Sequence, residues 1–201
     1  MTGSAETGGS VRVTPRVVPL VNVANALTVV RLVLVPIFLV ALFTAGGHVA
    51  TWRWAAFGVF ALASLTDTFD GDLARRWDLV TDFGKIADPI ADKALIGAAL
   101  VGLSLLHDLP WWITVTIAAR EVAVTALRFW VLRHGVIPAS RGGKIKTVLQ
   151  TLALGLAIMP LPPVWAPGVA VLMVGAVVVT VVTGLDYVLR ALRLRARAAT
   201  R

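Results

Sequence analysis

Long apolar runs recur along this chain, and they constrain its fold more than any other feature. The first run covers residues 26–44, close to the ~20 residues that a helix needs to cross a bilayer. Further runs cover residues 52–76, 88–106, 111–132, 147–159 and 165–189. The sequence therefore predicts an all-α polytopic membrane protein with six transmembrane helices and an N-terminal juxtamembrane segment.

The composition supports this interpretation. Hydrophobic residues make up 58% of the 201 residues and charged residues only 15%, whereas soluble domains average about 45–50% and about 25%. A cleavable signal peptide is the alternative for the first run. That run, however, exceeds the usual ~7–15 residues of a signal core, and Arg31 interrupts it. The absence of cysteine excludes disulfides and thiolate metal sites.

The distribution of basic residues predicts the orientation. A net charge of +8 would suggest nucleic acid for a soluble protein, but here the bases flank apolar runs and indicate anionic lipid headgroups, with no nucleic-acid partner. Both termini and the connections at 75–85 and 133–146 are basic, while the alternate connections carry little beyond Arg53. This positive-inside pattern predicts a multi-pass protein of the cell membrane with cytoplasmic termini. The predicted parts are a disordered or interfacial segment (1–21), a membrane domain (22–190) and a basic cytoplasmic tail (191–201).

Four aspartates lie at the ends of two apolar runs: Asp67, Asp70, Asp88 and Asp92. The first two are three residues apart and the last two four apart, so each pair shares a face if its run is helical. If the two helices are antiparallel neighbours, the pairs meet. Converging carboxylates repel one another unless cations lie between them, and oxygen ligands favour Mg²⁺ or Mn²⁺. We therefore predict a two-metal site at the cytoplasmic face.

The residues between these aspartates are suited to a nucleotide. Gly71 and Ala74 remove side-chain bulk beside the carboxylates, and Arg75 offers a forked donor to phosphate oxygens. Gly84 is expected to turn the chain back toward the third helix. That helix is expected to begin near Asp88, with Pro89 in its first turn.

This stretch resembles the CDP-alcohol phosphotransferase family, whose signature D-x2-D-G-x2-A-R-x8-G-x3-D-x3-D it matches at every fixed position from Asp67 to Asp92. The resemblance implies the fold of that family, and transfer of a phosphatidyl or similar group from a CDP-linked lipid to an alcohol with release of CMP. It implies that the four aspartates hold the metals, with Asp92 the candidate general base. It also implies that the CDP part is contacted by Gly71, Ala74, Arg75 and Thr81.

The first apolar run begins with a polar stripe, in which Asn25, Thr28 and Arg31 are spaced three apart. Asn-x2-Thr-x2-Arg resembles the start of the first helix in glycerophosphate-using members of the family, which implies that Asn25 and Arg31 help to bind the CDP-lipid. The alternative is a helix cap at Asn25 and an Arg31 side chain that snorkels to the interface.

Further charges suggest an acceptor site. Arg120 and Glu121 lie inside the fourth run, where charges need a partner or a polar cavity. A structural ion pair is the alternative to a cavity role, although neighbours one apart on a helix do not face each other. Arg141, Lys144 and Lys146 belong either to a cytoplasmic loop or, with Arg120, to a site for the phosphate of the acceptor.

Residues 25–36, 119–121 and 143–147 resemble the glycerophosphate-using branch of the family. This implies a phosphatidyl transfer from CDP-diacylglycerol to sn-glycerol 3-phosphate that gives phosphatidylglycerol phosphate, and it is compatible with a homodimer among membrane lipids. Other acceptors in the family remain open, namely an inositol phosphate or, as in cardiolipin synthases, phosphatidylglycerol. An inert membrane scaffold or a small transporter is the alternative from a different class.

Overall fold

The computed structural model describes residues 23–77, 82–131 and 141–199, which are helical apart from short turns and contain no strand. The six helices are α1 (Val23–Phe43), α2 (Ala50–Trp77), α3 (Asp82–Leu105), α4 (Trp111–Val131), α5 (Arg141–Ile158) and α6 (Ala166–Ala199). Short 3₁₀ turns at Thr44–Gly47 and Pro163–Trp165 precede α2 and α6. The all-helical prediction and the number of helices are confirmed for this part of the chain.

The hydrophobic core contains buried residues of all six described helices, from Phe38 of α1 to Val177 of α6. Phe38 of α1 and Phe60 of α2 are buried with ring centroids 5.8 Å apart. Buried alanines at Ala56, Ala63 and Ala99 let the backbones approach closely, as small residues do between membrane helices.

Two contacts at one end of the bundle establish the directions of the first three helices. A Cβ on Gly47 would lie 2.5 Å from Leu106 Cδ2, so the turn after α1 lies against the end of α3. Arg53, in the first turn of α2, forms an ion pair with Asp108, just beyond α3. Helix α2 therefore runs antiparallel to both α1 and α3, and the aspartate-bearing parts of α2 and α3 lie toward the opposite end.

The second half of the chain packs around this core. Buried Ser104 and Thr114 are hydrogen-bonded at 2.7 Å and join α3 to α4. Helix α5 contacts α2 and α3, and the long α6 packs against both α4 and α5. These contacts place α4, α5 and α6 beside the first three helices in one bundle.

Helix α5 begins at Arg141 rather than near residue 147, so residues 141–146 are helical rather than part of a connection. Two further helix boundaries differ from the prediction. Helix α3 begins at Asp82, so Gly84 lies in its first turn rather than reversing the chain, and Pro89 lies inside the helix rather than in its first turn. Helix α6 continues to Ala199 through much of the predicted tail, because Leu, Arg and Ala are strong helix formers. In both cases the apolar run is shorter than the helix that contains it.

Two helical segments of the described chain are long and apolar enough to cross a membrane, residues 25–47 and 163–193, with mean hydropathies of 2.6 and 2.5. Charged residues of the aspartate stretch and of the basic connections lower the hydropathy of the other helices. Large apolar side chains on α6 point outward, among them Val171, Val178, Val182 and Leu185. An outward apolar face of this kind is what a lipid-facing helix requires.

Candidate functional site

The aspartate positions occupy two neighbouring antiparallel helices. Asp67 and Asp70 lie in α2 and Asp88 and Asp92 in α3, and these helices contact each other. The backbone therefore meets both conditions of the metal hypothesis: the two segments are helical, and the two helices are antiparallel neighbours. The four side chains lie outside those the structure describes. Among the described side chains there is no group of three or more His, Asp or Glu residues that could hold a metal, so the two-metal site stays a prediction.

Several other predicted residues are placed only by their backbone. Gly71, Ala74 and Arg75 continue α2 beyond Asp70, and Arg141 is the first residue of α5. Thr81 lies outside the described part of the chain. Their predicted contacts with a nucleotide or phosphate stay predictions.

The polar stripe of α1 is buried. Asn25, Thr28 and Arg31 are 5%, 1% and 0% exposed, so the alternative in which Arg31 snorkels to the interface is wrong. Helix α1 runs parallel to α3, and the stripe lies in its first half, at the same end of the bundle as the aspartate positions. A buried arginine is expensive unless it is paired or hydrogen-bonded, which marks this stripe as an interior polar site.

A second polar cluster joins α4, α5 and α6. Glu121 Oε1 accepts a hydrogen bond from Arg120 Nη1 at 2.8 Å and another from Lys146 Nζ at 2.5 Å. The argument that adjacent helical residues cannot pair is therefore wrong for Arg120 and Glu121. The guanidinium and carboxylate meet because both side chains are long enough to bend around the helix surface.

Arg120 also attaches α4 to α6. Its Nε donates to the carbonyl oxygen of Thr180 at 3.1 Å, and its Nη2 donates to Thr183 Oγ1 at 3.2 Å. Gly184 makes room for this approach, because a Cβ there would lie only 3.0 Å from Arg120 Cγ. Arg120 thus has structural partners on every nitrogen, and its predicted contact with an acceptor phosphate stays a prediction.

A cavity of about 440 Å³ lies between α3, α4 and α5. Its wall is mostly apolar, from residues such as Ile96, Leu100 and Ile117. Its polar lining consists of Lys93, Glu121, Thr125, Lys146, Thr147 and Gln150. Predicted site residue Lys146 lies on this cavity with its ammonium group nearly buried, whereas Lys144 is exposed.

Sequence reasoning missed three residues of this lining. Glu121 was treated only as a partner for Arg120, yet it also holds Lys146. Lys93 hydrogen-bonds Thr125 across α3 and α4, and Gln150 is 2% exposed with no hydrogen-bond partner for its amide oxygen among the described residues. A polar residue inside an apolar run, such as Gln150, was the available signal.

The cavity and the aspartate positions share helix α3. Lys93, at one edge of the cavity, directly follows Asp92, and consecutive helical residues rise only about 1.5 Å. A molecule in the cavity would therefore lie near the part of α3 that carries the aspartate positions. Two lysines against one carboxylate, with three uncharged hydrogen-bonding side chains in an otherwise apolar wall, suit a small anionic molecule with hydroxyl groups.

Comparison with known proteins gives consistent matches over most of the chain. A family model described as CDP-alcohol phosphatidyltransferase matches residues 21–182. A Mycobacterium tuberculosis (strain H37Rv) protein named "Probable phosphatidylglycerophosphate synthase" is 56% identical over 172 residues, covering 86% of this chain and 82% of the relative. The Escherichia coli (strain K12) "CDP-diacylglycerol–glycerol-3-phosphate 3-phosphatidyltransferase" is 38% identical over 165 residues, covering 78% of this chain and 87% of the relative. The matched family region includes the polar stripe, the aspartate positions and the cavity.

Proposed function

This chain belongs to the CDP-alcohol phosphatidyltransferase family and is a phosphatidyltransferase, and from that premise we propose that it transfers the phosphatidyl group of CDP-diacylglycerol to sn-glycerol 3-phosphate. The products are phosphatidylglycerol phosphate and CMP. The names of the M. tuberculosis and E. coli relatives support this donor and acceptor. The observation that carries the proposal is the adjacency, along α3, of the aspartate positions and a lysine-lined cavity.

The proposed donor site is the aspartate end of α2 and α3. Asp67, Asp70, Asp88 and Asp92 would hold two Mg²⁺ or Mn²⁺ ions, since carboxylates are the ligands these ions prefer. The placement of the four positions on antiparallel neighbours is consistent with that role. Bound ions would stabilise the negative charge that develops on the phosphoryl oxygens. The small residues Gly71 and Ala74 would admit the CDP group, and its phosphates would be bound by Arg75.

The proposed acceptor site is the cavity between α3, α4 and α5. The Lys146 ammonium group has three donors, of which one is used by Glu121. The remaining donors, with the ammonium group of Lys93, would bind the phosphate of glycerol 3-phosphate. The position of Lys93 beside Asp92 would bring the free hydroxyl of the acceptor toward the aspartates.

In the transfer step the acceptor hydroxyl oxygen attacks the β-phosphorus of CDP-diacylglycerol. The Asp92 carboxylate takes the hydroxyl proton, the new oxygen–phosphorus bond forms, and the bond to CMP breaks. Glu121 keeps Lys146 directed at the cavity through the 2.5 Å hydrogen bond. No covalent enzyme intermediate is part of this mechanism, and trapping a phosphatidyl-enzyme would contradict it.

We further propose that all six helices span the cell membrane, with the termini and the donor site on the cytoplasmic side. The two strongly apolar segments and the outward apolar face of α6 support membrane insertion. Basic residues concentrate at the end of the bundle where α5 begins and α6 ends, whereas Arg53 is the exception at the other end. Positive charge on the cytoplasmic side is the usual arrangement.

The test is CMP release by the purified protein in detergent with Mg²⁺ and CDP-diacylglycerol. Glycerol 3-phosphate, an inositol phosphate, serine and phosphatidylglycerol are offered in parallel. We expect CMP release that depends on glycerol 3-phosphate. Release with only the inositol phosphate or phosphatidylglycerol would retain the family and contradict the acceptor, and silence with all four from folded protein would contradict the proposal.

A further inference from the structure

The end of the bundle opposite the aspartates contains a separate polar cavity. It measures about 590 Å³ and lies between the start of α2, the connection from α3 to α4, and the start of α6. Arg53, Asp108 and His48 line one side, and the other side is apolar, with Leu156, Met173 and the prolines at 160, 162 and 163. Fourteen residues of α2 separate Arg53 from Asp67, or about 21 Å along the helix. This cavity is therefore not part of the proposed transfer site.

Arg53 is the unusual residue of this cavity. It is 7% exposed, and an arginine keeps its charge even when it is buried. Asp108 Oδ2 accepts from its Nη2, and His48 Nε2 lies 3.5 Å from Asp108 Oδ1. Its Nη1 is also buried and has no acceptor among the residues that the structure describes. The guanidinium can therefore still donate a hydrogen bond through Nη1. A buried donor without an acceptor lowers the stability of a protein by about 1–3 kcal/mol.

The depth of the cavity in the membrane follows from the tryptophans around it. Five exposed tryptophans lie at this end of the bundle: Trp52, Trp54, Trp111, Trp112 and Trp165. Tryptophan side chains concentrate at the level of the lipid headgroups. Trp112 itself lines the cavity. Given the proposed membrane placement, the cavity lies at headgroup depth in the leaflet opposite the donor site.

From these observations we propose that the cavity binds one glycerophospholipid, with its phosphate on the Arg53 guanidinium and its glycerol and upper acyl chains along the apolar wall. A phosphate offers an anionic oxygen to the Nη1 donors of Arg53, which Asp108 leaves without an acceptor. The apolar wall, which continues onto the outward face of α6 at Val174, matches the rest of such a molecule. The phosphate would be a second anionic partner, beside Asp108, for the one Lys or Arg residue that the described chain has at this end of the bundle.

The test measures lipid binding, so it does not depend on the transferase activity. Full-length protein in detergent is titrated with dioleoylphosphatidylglycerol, with dioleoylglycerol as the lipid without phosphate, and with inorganic phosphate. Bound lipid is counted by native mass spectrometry, and the Tm is measured in parallel. We expect phosphatidylglycerol to bind at least tenfold more tightly than dioleoylglycerol and to raise the Tm, with no effect of inorganic phosphate.

Two pairs of variants locate the site. Arg53→Met with Asp108→Asn removes both charges together, so that neither is left buried alone, and should weaken phosphatidylglycerol binding at least tenfold. Its control is Arg190→Met with Asp186→Asn, the same change at an exposed pair 2.9 Å apart on α6. Ala170→Trp fills the cavity and should abolish binding. Val171→Trp is its control, because Val171 is 73% exposed and does not line the cavity.

Four results would overturn the proposal. The first is that dioleoylglycerol binds as tightly as phosphatidylglycerol, and the second is that inorganic phosphate raises the Tm and Arg53→Met/Asp108→Asn removes this increase. The third is that a variant and its control lose phosphatidylglycerol binding equally. The fourth is that Ala170→Trp binds phosphatidylglycerol as the unchanged protein does. The last variant keeps the proposal testable if the charge variant does not fold, because it leaves Arg53 and Asp108 intact.

Discussion

Replacing Glu121 by glutamine tests how the polar cluster holds α4, α5 and α6 together. Glu121 Oε1 accepts two charge-assisted hydrogen bonds, from Arg120 at 2.8 Å and from Lys146 at 2.5 Å. Glutamine has nearly the same shape and keeps one carbonyl acceptor, but it leaves two nearly buried cations without a counter-charge.

The expected magnitude follows from the burial of the three side chains. Hydrogen bonds to charged groups contribute about 1.5–3 kcal/mol each, and the Glu121 side chain is 25% exposed, which reduces their combined value. We expect Glu121→Gln to lower the free energy of unfolding by about 2–3 kcal/mol. This is at or below the low end of the about 3–5 kcal/mol lost when one partner of a fully buried ion pair is removed. For a chain of this size about 2–4 °C in Tm corresponds to each kcal/mol, so the Tm should fall by about 4–12 °C.

The assay is thermal unfolding in detergent, with Asp186→Asn as the matched control. That variant breaks the exposed Arg190–Asp186 pair on α6, and exposed pairs spaced four apart contribute only about 0.3–0.5 kcal/mol. Its Tm should therefore change by less than about 2 °C. Equal Tm changes in the two variants would refute the reasoning. So would strictly additive effects of Glu121→Gln and Lys146→Met, because residues in direct contact should couple by about 0.5–3 kcal/mol.

Three further predictions concern the site and its support. Asp92→Asn should abolish CMP release while CDP-diacylglycerol binding is retained, since the amide keeps the shape and loses the basicity; near-normal turnover would remove Asp92 from the role of base. Lys146→Ala should raise the KM for glycerol 3-phosphate more than that for CDP-diacylglycerol, and more than Lys144→Ala does, because Lys146 lines the cavity and Lys144 is exposed; the opposite order would contradict the acceptor site. Gly184→Ala should destabilise the protein by about 1–2 kcal/mol by pressing on Arg120, whereas Gly175→Ala, with no atom within 4 Å of the new methyl group, should be neutral or stabilising. Equal Tm values would contradict a close approach of Arg120 to α6 that leaves no room for a methyl group.

The helices themselves were largely predictable. The first and fifth apolar runs end at residues 44 and 159, just before glycines and prolines, and α1 and α5 end within one residue of these positions, at Phe43 and Ile158. The prediction was wrong at the starts of α3 and α5 and short at the end of α6. A helix can extend past its apolar run wherever good helix formers follow, and hydropathy does not report such an extension.

The candidate site was predictable only in part. The spacing of the aspartates placed them on two helices, and the structure places those helices side by side and antiparallel. The pairing of Arg120 with Glu121 was missed, because helical spacing describes where Cβ atoms lie and not how far long side chains reach. Gln150 stands out in the sequence as a polar residue inside an apolar run, but that run alone does not show which cavity the side chain lines.

By itself, the sequence determined the helical class, the number of helices, the aspartate positions and the family, because each depends on local composition or on spacing within one segment. Only the tertiary structure decided which helices without a short connection meet, such as α4 with α6 and α2 with α5. It likewise decided that Glu121 holds Lys146 across 25 residues and that Arg53 is buried beside a cavity far from the aspartates. Contacts between distant segments depend on how whole helix surfaces fit together, and no single stretch of sequence contains that information.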